Sequence, residues 1–394
     1  MLTASRSYTW YTNVCFTGRF DLNKKINKKS PCPCESGKRY EQCCRKKKVL
    51  IQKAQKTFSE KEGKHQAFIK QYGHIRIPQM IDIWGGKVTT VGGSTFKNTR
   101  SGNYTFLHVV HDYALLFFGE EYLIKQESMP TEKRHPALQW MYGYIGEVNA
   151  KKPRRIGAGA AWIRFAYDIH TISDNAKLEA ILKKRLLKYK SFQTARHELW
   201  TAALFVAAGF EINFVDETDS TKKHPEFIAI DKESGIKVAV EAKCRQRKGV
   251  LGFSDGSDKP LGEDVGITSL LKKAYKKEGN IPLCIVIDTN LPPQNKNWNL
   301  GYWQTQIGES IKKLARNGYD HPCPANLILF YNDPSHHMVD EEIGKEEDCL
   351  WLSDCFPVYP KNECDGFDGF DGFRKWLLKA QRQRIHPPLE IPDI

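Results

Sequence analysis

The amino-acid sequence predicts a mixed α+β (α/β-type) protein with a cysteine-rich N-terminal module, a mostly helical middle region, and a C-terminal mixed sheet flanked by helices. Three observations lead there. Four cysteines crowd into residues 32–44. Helical periodicity dominates from 104 to 189. From residue 191 onward, helical stretches alternate with short β-branched runs, the order that builds a helix-covered sheet. On these grounds the chain divides into 1–30, an N-terminal segment; 31–48, the cysteine module; 49–72, a helical linker; 73–190, a mostly helical domain; 191–335, the sheet-bearing core; and 336–394, an acidic extension.

Residues 1–30 mix Tyr8, Trp10, Tyr11, Phe16 and Phe20 with polar residues, a pattern compatible with one or two strands. Next come Cys32-X-Cys34, eight residues, then Cys43-Cys44. Four thiolates at this spacing can surround one Zn²⁺ tetrahedrally, and metal binding supplies folding energy that so short a segment cannot draw from a core. Such a site has no open position, so its zinc is structural. With its Ser36-Gly37-Lys38 turn and Tyr40, the segment resembles the SEC-C motif, departing from it at Glu35, where the motif usually has Gly. The resemblance implies a zinc site held by Cys32, Cys34, Cys43 and Cys44 and a docking role toward proteins or ribosomes. The basic runs at 24–29 and 45–48 fit a grip on nucleic acid equally well.

A basic, polar helix is expected over 49–71, and turns with short strands over 73–103, where Gly85-Gly86 and Gly92-Gly93 punctuate β-branched residues. Helices follow over 104–125, 135–148, 158–172 and 176–189. His111-Asp112 has the makings of a metal-binding pair, but no second His at helical spacing supports it, and a packed histidine is the expectation. No GxxxxGK[ST] loop occurs, so nothing points to a nucleotide-driven motor.

The core centres on Pro225-Glu226-Phe227 and Val240-Glu241-Ala242-Lys243. Between them Lys232-Glu233-Ser234-Gly235 forms turns readily, so the simplest arrangement is a β-hairpin pairing Asp231 with Ile236. Counting outward sets Glu226 opposite Glu241 on one face, and the two-residue period adds Lys243 to that face. Opposed side chains have Cβ atoms about 5 Å apart, a distance at which two carboxylates repel unless one is protonated or a cation intervenes. A divalent metal ion answers that need, and Lys243 would point at the same water or phosphate. A Glu-X-Lys triplet is also what a solvated hairpin edge carries, so the charges alone leave that reading open.

Pro225-Glu226, followed fifteen residues after Glu226 by Glu241-Ala242-Lys243, resembles the PD-(D/E)XK nucleases, the restriction-endonuclease-like family. The surrounding order is similar too: a helix over 192–208 carrying Glu198, a strand over 210–215, the hairpin, a helix over 267–277, and a strand over 281–288. The sequence departs from the family at Glu226, where Asp is usual. The resemblance implies a metal-dependent endonuclease, with DNA favoured as substrate. It also implies one or two Mg²⁺ or Mn²⁺ ions on Glu226, Glu241 and the Ala242 carbonyl. Lys243 would orient the attacking water, Glu198 would assist through a water or a second ion, and two chains would pair as a homodimer. The basic segment at Arg245, Arg247 and Lys248 is the candidate nucleic-acid contact, followed by a Gly-rich loop over 249–262. A further strand is expected over 327–331, and the Asp-Gly-Phe repeat at 365–373 argues against helix there.

Formal net charge is +14 over 394 residues, unevenly distributed. Residues 24–64 hold fourteen basic against four acidic residues, 151–190 eleven against three, and 333–371 two against twelve. Two basic blocks beside a phosphodiester-cleaving core suit a polyanion partner. No apolar run approaches a membrane span, the start lacks a secretory pattern, and eleven cysteines with only one metal-like cluster fit a reducing compartment; a cytoplasmic protein without a membrane partner is expected. Two alternatives to the nuclease stand. One is a catalytically inactive adaptor that keeps the nuclease-like core and the zinc docking module, for which Glu226 in place of Asp speaks. The other is a restriction or anti-phage effector whose cleavage a partner or signal licenses.

Overall fold

Ahead of the first long helix the chain doubles back on itself. Pro31 and Arg39 form an antiparallel bridge, Cys32 N–H donates to the Lys38 carbonyl (2.8 Å), and Tyr40 N–H donates to Ser30 (2.9 Å). Cys32 and Tyr40 are buried there, and the turn runs through Cys43 into α1 (Cys44–Tyr72). The structure, a computed structural model, describes residues 27–32, 37–74, 79–83, 86–91, 94–98, 105–149, 157–176, 178, 180–215, 224–232, 234–246, 266–277, 279–290, 300–319, 323–333, 335, 351–355 and 370–385. The chain forms two compact units: 1–67 with residue 394, and 68–393.

In the larger unit α1 ends at Gly73, whose N–H donates to the Ile69 carbonyl (2.9 Å) and whose φ is +86°. A Cβ there would lie 2.7 Å from the Ala207 carbonyl oxygen, so only glycine lets the chain pass. Strands β1 (Gln79–Ile83), β2 (Gly86–Val91) and β3 (Ser94–Asn98) form a separate antiparallel meander, as the glycine pairs suggest. The helix expected over 104–125 is two helices, α2 (Phe106–Phe118) and α3 (Glu120–Glu127). Gly119, at φ +83°, breaks it, because that left-handed backbone cannot continue a helix. Helices α4 (Pro136–Asn149), α5 (Gly157–Asn175) and α6 (Ala180–Leu186) follow. His111 accepts a hydrogen bond from Trp162 Nε1 at 2.9 Å, the packed histidine expected of it.

Helix α7 (Phe192–Ala207) is buried on nearly all sides. It precedes a six-stranded sheet in spatial order β4 (Phe210–Phe214), β5 (Phe227–Asp231), β6 (Lys237–Cys244), β7 (Leu283–Asp288), β8 (Leu327–Asn332), β9 (Trp351–Cys355). The pairs β4–β5, β5–β6 and β8–β9 are antiparallel, while β6–β7–β8 run parallel. One face packs Ala239, Ile285, Ile287, Ile328 and Phe330 against α8 (Thr268–Ala274) and α9 (Leu300–Leu314). On the other face Trp200 of α7 stacks on Tyr331 (3.7 Å between centroids) and Phe205 meets Phe210 and Phe227. Covered on both sides, β7 and β8 are apolar along most of their length rather than alternating.

Phe192 of α7 packs on Trp140 and Phe165 of the helical region, both at 5.4 Å, and Arg164 of α5 bonds both oxygens of Asp333 at 3.1 Å. Strand β9 completes the sheet, and positions 190/191 and 335/336 both lie inside the larger unit. The last Asp-Gly-Phe unit is helical after all, lying in the first turn of α10 (Phe370–Ile385). Burial of Phe373 against Phe205 and Phe210 outweighs the roughly 1 kcal/mol that Gly372 costs a helix. No described helix is long and apolar enough to cross a membrane.

His135, His170 and His197 lie fully inside the larger unit, and burial pushes their imidazoles down to about 3, about 4 and about 3. These values lie below that of an unfolded histidine, so the unfolded chain takes up protons first as pH falls, and stability is lost from about pH 6.5 downward. Both nitrogens of His170 lack a hydrogen-bond partner among the described residues, and its ring contacts Phe106, Tyr113 and Tyr167. The urea midpoint should therefore drop between about pH 7.5 and about pH 5.5, and drop less in a His170→Phe variant. Equal drops in the two proteins would acquit His170.

Candidate functional site: two carboxylates across a hairpin

The site begins with a turn. Asp231 Oδ2 accepts bonds from Ser234 N–H (2.8 Å) and Ser234 Oγ–H (2.5 Å), and Gly235 N–H reaches the Asp231 carbonyl (2.9 Å). That closure sets β5 against β6 with Ala229 opposite Val238 and Phe227 opposite Val240. Asp231 N–H to Ile236 (2.9 Å) and Glu226 N–H to Val240 (3.0 Å) extend the pairing at both ends. Glu226 thus stands opposite Glu241, the register read from the sequence. The hairpin is no solvated edge, because β5 and β6 are the second and third of six strands. Alternation sends Val238, Val240 and Ala242 to the α7 face and Ala239, Glu241 and Lys243 to the α8 face.

Glu241 has 0% exposure, and among the described residues its carboxylate meets no donor other than Lys243. Lys243 Nζ forms an ion pair with Glu241 Oε1, lies 3.4 Å from Glu226 Oε1, and donates to the Ala242 carbonyl at 3.2 Å. The ammonium therefore sits where both carboxylates and the predicted carbonyl ligand meet. Burial pushes the Glu241 carboxyl up to about 7; Lys243 opposes that rise and Glu226 adds to it. Burial also pulls Lys243 down, but Glu241 and Glu226 outweigh it and its net shift is upward.

Glu198 comes from α7, and its charge is felt at Lys243. Its carboxylate pairs with Arg185 of α6. Among the described residues no three His, Cys, Asp or Glu side chains converge as a metal-holding group. Glu226 and Glu241 meet at Lys243, whereas Glu198 meets Arg185. Arg245 is partly buried; a Cβ on Gly266 would lie 3.3 Å from its Cζ, and its N–H and carbonyl bond Asp288 (3.0 Å) and Asn290 (2.8 Å). Arg247, Lys248 and the loop over 249–262 lie outside the described residues. Of the zinc ligands read from the sequence, Cys32 is buried, Cys43 partly buried, and Cys44 opens α1, while Cys34 lies outside the described residues.

Sequence reasoning missed two cations. Lys277, just beyond α8, donates to the His224 carbonyl at 2.7 Å, securing the segment that leads into Glu226, and its charge also acts on Glu241. Arg185 is the other. Both sit in basic helix ends, which in a sequence look like solvated faces. A third element, the buried pair of Arg196 Nη2 with Asp288 Oδ2 (2.5 Å), pins α7 to the end of β7, and only the fold brings those residues together.

The donor set suits a hard divalent ion. Two carboxylates share one ammonium, and the deeper one keeps a buried oxygen, Oε2, without a hydrogen-bond donor among the described residues, which a cation would satisfy. No protein family, characterised protein or solved structure matches the chain. Because Glu241 must lose its proton to bind a metal ion, Mn²⁺ affinity should climb by up to about tenfold per pH unit below neutrality and level off above the group's value of about 7. Calorimetric titrations across that range measure the profile, and a flat one would contradict a single carboxyl titrating at the site.

Proposed function

We propose that the chain is a metal-dependent nuclease, hydrolysing phosphodiester bonds of nucleic acid, with DNA favoured, on a restriction-endonuclease-like core. The observation that carries this reading is the buried Glu241 carboxylate facing Glu226 across adjacent strands with the Lys243 ammonium between them. Removing two carboxylates from water costs several kcal/mol each, and one ammonium balances only one of them. A folded chain keeps such an imbalance where a bound cation repays it.

Glu226, Glu241 and the Ala242 carbonyl would hold Mg²⁺ or Mn²⁺. When bound, the ion acidifies water and stabilises negative charge on a phosphoryl oxygen. The chain's own residues do the rest. Lys243 hydrogen-bonds at that locus, so its ammonium would orient the attacking water and meet charge developing on the phosphate. Lys277 holds the segment carrying Glu226 in register. The element order supports the reading: α7, β4, the β5–β6 hairpin, α8 and β7 run in the order of the family's core.

Purified protein incubated with plasmid, single-stranded DNA and RNA should cut at least one substrate with Mg²⁺ or Mn²⁺ and none with EDTA. Glu241→Ala and Lys243→Ala should each lower cleavage by about a hundredfold or more while retaining the fold and DNA binding. Cleavage at the parental rate in either variant would take that residue out of the reaction.

The same reading assigns a structural zinc to Cys32, Cys34, Cys43 and Cys44, supported by the spacing and by the turn that buries Cys32. Elemental analysis should return one zinc per chain, lost on Cys43→Ser substitution. Full zinc occupancy in that variant would exclude Cys43 from the ligand set.

A further inference from the structure

Between α6 and α7 the fold holds an exposed basic turn that neither the divalent-ion site nor the packing of the larger unit uses. From 180 to 197 the chain carries Lys183, Lys184, Arg185, Lys188, Lys190 and Arg196 and no Asp or Glu. Three of these cations are engaged: Arg185 pairs with Glu198, Arg196 with Asp288, and Lys183 lies over the Phe117 ring at 5.1 Å. Lys184, Lys188 and Lys190 are exposed and form no ion pair among the described residues. Tyr189, between the last two, leaves 54% of its surface in solvent and makes no ring contact among the described residues. We propose that Lys184, Lys188, Tyr189 and Lys190 form a docking surface for single-stranded nucleic acid, the ammonium groups pairing with phosphates and the Tyr189 ring stacking on an unpaired base. Its link to cleavage rests on the nuclease reading of Glu226 and Glu241, and it names the form of substrate that their site would receive.

The turn is held firmly although its side chains face water. Tyr189–Ser191 is a single 3₁₀ turn between buried Leu186 and Phe192. Ser191 Oγ donates to the Arg185 carbonyl at 2.8 Å, Ser191 N–H to the Lys188 carbonyl at 3.2 Å, and Tyr122 OH to the Leu187 carbonyl at 2.8 Å. A large ring on so fixed a backbone gives up little freedom when a base stacks on it. Lysines suit the phosphates of any nucleic acid, but a duplex hides its base faces in the stack, so an aromatic platform favours an unpaired strand. An acidic protein would satisfy the lysines and leave the ring without a planar partner. The surface also adjoins the ion site along the chain. The first turn of α7 follows directly, and there Thr194 Oγ1 accepts a bond from Gln246 Nε2 at 3.0 Å. Gln193 Oε1 accepts one from Asn290 Nδ2 at 2.9 Å, the same amide that bonds the Arg245 carbonyl. Four residue steps from Lys190 to Thr194 and three from Gln246 to Lys243 bound the separation at about 40 Å, the span of about twelve nucleotides of one strand. One strand can therefore occupy both places.

The test is fluorescence anisotropy of labelled single-stranded and duplex DNA of one sequence, titrated with the full chain without added divalent ion so that nothing is cut. Tyr189→Ala should weaken single-strand binding about tenfold and leave duplex binding unchanged, and Tyr189→Phe should keep the parental affinity for both. The triple variant Lys184→Ala, Lys188→Ala, Lys190→Ala should lower the slope of log affinity against log salt for the single strand by about two. Parental single-strand affinity in Tyr189→Ala, an equal loss of duplex binding in it, or a parental salt slope in the triple variant would overturn the surface. These results stand apart from the nuclease reading. A parent that binds single strands through these residues but cuts nothing with Mg²⁺ or Mn²⁺ would remove the nuclease and leave the surface. Metal-dependent cleavage by the parent, with parental binding in both Tyr189→Ala and the triple variant, would remove the surface alone.

Discussion

The Lys243 ammonium wedged between two carboxylates is the interaction on which the rest of the larger unit converges. Glu241 sits in the third of six strands, with helices on both faces of the sheet, in a place where apolar side chains would ordinarily stand. Its neighbours on that face are Ala239, Ile285 and Ile287. An ionised group in such surroundings survives only with a partner supplied by the fold. Lys243 is two residues along the same strand, so the period of two guarantees that partner whenever the strand forms. Glu226 needs more, because its presence depends on the hairpin register, and the Asp231–Ser234 turn sets that register.

Helix α7 ties this site to the remainder of the molecule. From successive positions it sends Arg196 to Asp288, His197 Nε2 to the Val286 carbonyl (3.1 Å), and Glu198 to Arg185 of α6. Two of these neighbours reach β7 and the third reaches α6, all from one turn of helix. The helical region buttresses α7 through Phe192 and reaches the end of β8 through Arg164 and Asp333. Hydrogen bonds from Arg196, His197 Nε2 and Arg164 add direction to the apolar contact between helix and sheet. Under the proposed activity, that rigidity keeps Glu226, Glu241 and Lys243 in place while the charges around them change.

Local chemistry determined much of this in advance. The alternation of Ile236, Val238 and Val240, the turn-forming run before it, and the count between Glu226 and Glu241 suffice to pair the strands, because a hairpin's register follows from its turn and its period. The same holds for most helices, whose apolar spacing is a property of the segment itself. The spacing of Cys32, Cys34, Cys43 and Cys44 is likewise legible without a fold. What lay beyond the sequence depends on residues far apart along the chain. Phe373 is helical because Phe205 and Phe210 offer it a buried site, and β9 is a strand because β8 presents an open edge. Arg185 and Lys277 look like surface charges until helices α6 and α8 carry them to Glu198 and to the segment before Glu226. Short-range periodicity decides which residues share a face; which faces meet, and so which charges answer one another, is decided only when the sheet and its helices close on a common interior.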